Sequence, residues 1–202
     1  DIAVSALNMN QLAKSKNLIE AAAKFDLKTA QKTHAEFAKK NLTLYTAKKY
    51  NEALTVCDIL LTLKPNNYEN WFRKSLVLMN LDRNKEAVET FTKTINLKND
   101  FATAYLNRGY IYQTKLAEYD KALYDFNQVI RYSSDKKQIA LARISIAEIY
   151  TKKKEYRKAM DSAWMAKELY ELLGNYEKAD ECFRYFDYVA ELECNRPNGY
   201  CY

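Results

Sequence analysis

One alanine recurs along this 202-residue chain at nearly constant spacing. It is Ala53, Ala87, Ala122 and Ala159, in "NEAL", "KEAV", "DKAL" and "RKAM", separated by 34, 35 and 37 residues. Other columns travel with it. Four places later stand Cys57, Phe91, Phe126 and Ala163, and three places earlier Tyr50, Asn84, Tyr119 and Tyr156. Further upstream come Leu44, Leu78, Tyr112 and Tyr150, then the small or polar residues Asn41, Ser75, Gly109 and Ala147. A chain that repeats itself at this period folds as a stack of like units.

Each column has a physical cause. Apolar residues every three to four places mark one buried helix face. Each copy divides into two such helices around a short polar turn: "AKKY", "LDRN", "KLAEY" and "KKKEY". Small residues in two columns let antiparallel helices approach closely, which places Ala87 at a helix–helix contact. One hairpin cannot bury both its faces, whereas stacked hairpins share a continuous core. Three glycines and two prolines are too few for a turn-dense β architecture, so the chain reads as all-α. Helix pairs are expected near 37–47/51–63, 69–81/85–97, 102–115/119–132 and 140–153/156–172.

The unit resembles the tetratricopeptide repeat. The strongest likeness is "AYLNRGYIYQ" (Ala104 to Gln113) followed by "YDKALYDFNQVI" (Tyr119 to Ile130). Trp71 stands in the family's tryptophan place, and Pro65 in its closing proline place. The chain departs from the family at Lys40, Lys74 and Arg108, where leucine is usual, at Asn99, Ser134 and Glu171, where proline is usual, and at Arg143, where an aromatic is typical. The resemblance implies a right-handed α-solenoid of about four repeats, at 34–67, 68–101, 102–135 and 140–172.

Residues 1–33 form an N-terminal extension in this division, with a helix over Ile2 to Lys24 and Asp26 as N-cap of the next helix. Residues 173–202 form a C-terminal capping helix and tail, since a solenoid needs an end unit over its last apolar face. Gly174 stops one helix and another runs from about Tyr176 to Leu192. This last helix also mimics helix B of a fifth copy, with Tyr176, Ala179 and Phe183 in the matching columns. The tail "CNRPNGYCY" is a turn. In an oxidising compartment it could join Cys194 to Cys201; otherwise both are free thiols. Cys57 occupies a core column and is expected buried and free.

Catalytic constellations are missing from the sequence. His34, the one histidine, stands in a lysine-rich stretch and reads as solvated. Neither glycine-rich phosphate motif occurs, and the four cysteines form no C-x-x-C pair, so no metal and no cofactor are expected. Acidic pairs such as Glu181/Asp187 and Glu191/Glu193 read as ordinary exposed helix charges. No enzyme activity is expected.

Charge is uneven. Residues 1–50 carry nine lysines against four acids, a net of +5, and residues 161–202 carry four basic residues against nine acids, a net of −5. The N-terminal lysines are spread along helices rather than packed into a run with interleaved aromatics, so they read as solvated faces and not as a nucleic-acid surface. No apolar run reaches the length of a membrane span. Asp1 fits either a trimmed chain or a cleaved signal peptide, so the compartment is cytoplasmic in one case and periplasmic or secreted in the other.

In the family, fixed places of helix A line a concave groove that takes a peptide or a helix. Carried over, these places give Phe72, Arg73, Leu76 and Met79, then Leu106, Asn107, Tyr110 and Gln113, then Ile144 and Glu148. The same apolar residues could instead pack on a terminal helix of the chain. Some family members clamp a partner's C-terminal carboxylate with a Lys, Asn, Asn, Lys, Arg set. Ala38, Leu42, Phe72 and Thr103 stand in several of those places here, with only Asn107 and Arg73 of suitable type, so the clamp is missing as a set. The resemblance thus implies non-catalytic binding of a protein or peptide partner. The alternative is an assembly subunit of a larger envelope or secretion complex, self-associating through aromatic surfaces supplied by seventeen tyrosines.

Overall fold

A computed structural model describes residues 27–196. Among these residues every regular element is a helix: α1 (Leu27–Thr46), α2 (Tyr50–Leu63), α3 (Tyr68–Asn80), α4 (Asn84–Leu97), α5 (Ala102–Thr114), α6 (Tyr119–Tyr132), α7 (Lys136–Lys152), α8 (Tyr156–Leu172) and α9 (Tyr176–Cys194). The expected Ile2–Lys24 helix, its Asp26 cap and the tail beyond Arg196 lie outside the described residues. α7 starts four residues before the expected 140, because Asp135 caps it by accepting from the Lys137 N–H at 2.8 Å.

The chain divides into two compact units, the first ending at Asn99 and the second beginning at Asp100. In the first unit α1 pairs with α2 and α3 with α4, and α2 packs on α3. In the second, α5 pairs with α6 and α7 with α8, α6 and α5 both touch α7, and α9 packs on α8.

The repeating alanines lie inside these hairpins. Ala53, Ala87, Ala122 and Ala159 are all fully buried. On the helix A side of the third hairpin, a Cβ on Gly109 would stand 3.0 Å from Cε1 of Phe126, a fully buried ring. In the first copy the same place holds Asn41, whose amide donates to Ala53 O at 2.9 Å and to Cys57 Sγ at 3.1 Å. Cys57 is buried and free, and burial pushes its thiol up to about 12. Phe37 and Phe91 in the first unit and Phe126 in the second are fully buried, and each contributes about 1.5–3 kcal/mol over its exposed state.

The turn inside each hairpin is the same left-handed helix stop. Lys48, Asp82, Ala117 and Lys154 have φ of 58°, 59°, 54° and 60°, each five places before its column alanine. The following N–H closes back on the helix: Lys49 to Leu44 O, Arg83 to Leu78 O, Glu118 to Tyr112 O and Glu155 to Tyr150 O. Gly174, with φ of 68°, repeats the pattern between α8 and α9. The link between the first and second copies differs. There Trp71 Nε1 donates to Pro65 O at 2.7 Å, which ties the tryptophan and proline columns together. Asn70, buried beside it, donates to Leu60 O at 2.9 Å.

His34 is not solvated as its lysine-rich surroundings suggest. It is half-buried on α1, with Nε2 3.2 Å from Oδ1 of Asn70 on α3. Asn70 Nδ2 also lies 3.1 Å from the same ring nitrogen, so which group donates follows the histidine tautomer. Glu193 is likewise not an exposed helix charge. It is buried, accepting from Arg196 Nη1 at 3.1 Å with Arg157 Nε at 3.8 Å.

α9 does not pack like helix B of a fifth copy. Ala179 is buried, but Tyr176 and Phe183 are exposed. Ala179 and Cys182 join Ala140, Ala166 and Tyr170 in one cluster, and Val189 joins Ala159 and Met160 in another. α9 therefore covers the α7/α8 hairpin along its length while leaving an aromatic face outward.

Candidate functional site

Polar pairs join neighbouring A helices one repeat apart. In the first unit they are His34–Asn70 and Asn80 Nδ2 to Tyr45 Oη at 2.9 Å, 36 and 35 residues apart. In the second they are Gln138 to Thr103 and Gln113 to Glu148, each 35 apart, and Tyr185 to Thr151, 34 apart. By this pairing α9 follows α7 in the A layer as α7 follows α5.

On the A face of the first unit, Phe72, Arg73, Leu76 and Met79 all lie on α3 and are all partly buried. The Phe72 ring sits 6.0 Å from that of Phe91 on α4, so it serves its own hairpin. Leu42 on α1 is the more open group, 55% exposed.

On the A face of the second unit, Tyr110 of α5 is 51% exposed and Leu141 of α7 42%. Leu106 and Asn107 are partly buried on the same face of α5, and the Asn107 amide donates to Thr103 O at 2.7 Å. Ile144 packs against the Ala140–Cys182 cluster and so supports α9. Gln113 and Glu148 are not isolated polar groups. Gln113 is buried, and its Nε2 donates to Glu148 Oε2 at 2.7 Å. Glu148 itself is exposed.

Arg108, next to Asn107, does not join this face. It points into the hairpin and grips Asp125. Tyr185 and Tyr188 of α9 do join it, although the sequence reading gave α9 no part in the site. Tyr185 Oη donates to Thr151 Oγ1 at 2.9 Å, and the two tyrosine rings lie 6.1 Å apart. Burial raises the Tyr185 hydroxyl, the bond to Thr151 pulls it down, and the Glu148 carboxylate raises it further. The one-repeat separation of Thr151 and Tyr185 is the signal that identifies α9 as part of the layer.

Cys194 ends α9 and is disulfide-bonded, whereas Cys57 and Cys182 are free; Cys201 lies outside the described residues. Among the described residues no group of three His, Cys, Asp or Glu is placed to hold a metal ion, and no helix is long and apolar enough to cross a membrane.

A family model described as "Tetratricopeptide repeat" matches residues 68–101 and 102–136. Over 98 residues the chain is 33% identical to DnaJ homolog subfamily C member 3 of Homo sapiens, a match covering 48% of this chain and 19% of that protein. It is 27% identical over 165 residues to Protein STIP1 homolog of Dictyostelium discoideum, covering 81% of this chain and 28% of that one. The chain thus spans less than a third of the length of these two relatives. The solved structure "MamA 41-end from Desulfovibrio magneticus RS-1" superposes with a TM-score of 0.61 at 18% identity, over 82% of this chain and 97% of that one. At that identity the likeness is one of fold.

Proposed function

We propose, from the premise that this chain belongs to the tetratricopeptide-repeat family of protein–protein interaction modules, that the A face of its second unit holds a peptide or helix of a partner protein. The carrying observation is Tyr110, a ring 51% exposed on the A face of α5. A large apolar ring with a polar tip, left uncovered on the face that also exposes Leu141, suits an apolar anchor of a partner. Leu106, Asn107 and Tyr110 form the centre of the site. Phe72, Arg73, Leu76 and Met79 offer a second face of the same kind on the first unit. The reading involves no catalysis. A free C-terminal carboxylate on the partner is not required, because the clamping set is missing.

The test compares Tyr110→Ala and Asn107→Ala with a helix B control, Glu89→Ala, for binding to a partner captured from the source cell. Folded Tyr110→Ala and Asn107→Ala proteins that bind like wild type would refute the assignment.

A second reading, self-association as an assembly subunit, is favoured by one observation. Trp164 and Phe183 are each 40% exposed, and their rings lie 5.7 and 6.3 Å from that of Phe186, making an outward aromatic patch on α8 and α9. Sedimentation over a range of concentrations separates the readings. A monomer at all concentrations supports the peptide face, and a dimer abolished by Trp164→Ala supports assembly.

A further inference from the structure

Glu148 is an exposed carboxylate held in one place. Its Oε2 accepts from Gln113, a side chain only 4% exposed that leaves little freedom of orientation. One turn further along α7, Thr151 receives the Tyr185 hydroxyl and passes its own proton to Ala147 O at 2.9 Å. That chain of bonds fixes the Tyr185 hydroxyl one turn of α7 from Glu148, and the Tyr188 ring, 51% exposed, lies 6.1 Å from that of Tyr185. Burial is the main cause of the raised proton affinity of the Tyr185 hydroxyl, and the Glu148 charge adds to it.

Among the described residues Glu148 has no cationic partner, and no cation stands over Tyr185 or Tyr188. Elsewhere on the chain such places are filled from within. Lys152 lies 5.4 Å from the Tyr119 ring centre and Lys158 5.2 Å from that of Tyr150. The helix carrying Tyr185 and Tyr188 holds six acids against two bases, a net of −4. A fixed carboxylate beside aromatic rings in a negative field selects a cation.

We infer that Glu148, oriented by Gln113 and flanked by Tyr185 and Tyr188, is a subsite for one basic side chain, arginine or lysine, of a bound peptide. This rests on the peptide-binding reading of the Tyr110 face, three residues before Gln113 on α5, and adds the charge of the occupant. The guanidinium or ammonium would pair with Glu148 Oε1 and lie against a tyrosine ring. An exposed ion pair and one cation–π contact together correspond to about a fivefold or greater gain in affinity.

The test selects a displayed library of random 12-residue peptides on the full chain, on Glu148→Gln, on Glu148→Lys and on Tyr110→Ala. Wild type is expected to enrich peptides with arginine or lysine at one fixed distance from an apolar anchor. Glu148→Gln should keep the anchor, lose the basic enrichment and bind the wild-type peptides about fivefold or more weakly. Glu148→Lys should turn the preference to aspartate or glutamate. A consensus with no basic position, or one unchanged in both Glu148 variants, overturns the subsite. The peptide face itself stands in that case if Tyr110→Ala still loses the peptides. Peptides that bind Tyr110→Ala and every Glu148 variant like wild type, or a library that yields no binder, overturn both readings.

Discussion

Arg108 of α5 holds Asp125 of α6 by two parallel hydrogen bonds, Nε to Oδ2 at 2.8 Å and Nη2 to Oδ1 at 2.7 Å. The aspartate side chain is 1% exposed and the arginine 11%. Burial pushes the Asp125 carboxyl above its usual range although both hydrogen bonds pull it down. Such a pair stabilises little over apolar residues of like shape, yet breaking it strands a buried charge. Asp125→Ala should therefore cost about 3–5 kcal/mol in urea unfolding. The fourth repeat carries Ile146 and Ser162 in the same two places, both buried. Transplanting them as Arg108→Ile with Asp125→Ser should cost far less than the single change. Equal losses in the two proteins would argue against this account.

The close helix approach makes a second prediction. Gly109→Ala drives a methyl to within 3.0–3.2 Å of the Phe126 ring and 3.1 Å of Asp125 Cβ, so the fully buried Phe126 ring must shift to admit it. Ala87→Leu overfills the helix B side of the second hairpin, where Ala87 is fully buried. Each should cost about 1–3 kcal/mol. Melting temperatures unchanged in both would mean that the helix register assigned here is wrong.

The left-handed turns predict changes of the opposite sign. Ala117 sits at φ 54° with no side-chain function to preserve, and the corresponding place between α8 and α9 is already Gly174. Left-handed backbone costs a non-glycine residue about 1–2 kcal/mol, and glycine returns part of this through its freer unfolded state. Ala117→Gly should be more stable than wild type by up to about 1 kcal/mol in thermal unfolding. A destabilised Ala117→Gly protein would show that the turn is held in some other way.

The helix pairs were legible because each column has one job in every copy, so four imperfect copies correct one another. Single-copy features were not. Glu193 looks like a surface charge until Arg157 and Arg196 close on it, and Phe183 occupies a core column in sequence but faces outward on α9. In the candidate site, the positions of Leu106, Asn107 and Tyr110 on one α5 face follow from helix periodicity. The Gln113–Glu148 and Thr151–Tyr185 bonds do not, because a column analysis aligns copies and is blind to contacts between them. Polar residues separated by 34 to 36 places were the overlooked sign.

The cysteines give a prediction by mass. Cys57 and Cys182 are buried and free, and burial holds both thiols well above their usual range. They should resist alkylation in the folded protein. Cys194 is disulfide-bonded, and the partner expected from the sequence is Cys201. Reduction of the oxidised protein should raise its intact mass by about 2 Da, and peptide mapping should recover 194 with 201. Recovery of Cys57 or Cys182 in a disulfide peptide would contradict the assignment.

His34 makes the first unit sensitive to mild acid. Burial lowers its proton affinity below the ordinary histidine value, with Lys64 adding to the effect and the bond to Asn70 opposing it. Because the folded pKa is depressed, the histidine's contribution is fully present above the unfolded value of about 6.5 and is lost as pH falls through the folded one. Carboxylates titrate mostly below this range, so the interval from about pH 7.5 to 5.5 isolates the histidine. The urea midpoint of the wild type should fall across that interval. His34→Gln keeps a polar side chain able to donate to or accept from Asn70 but does not titrate, so its midpoint should stay nearly level. Parallel falls in the two proteins would place the pH sensitivity elsewhere.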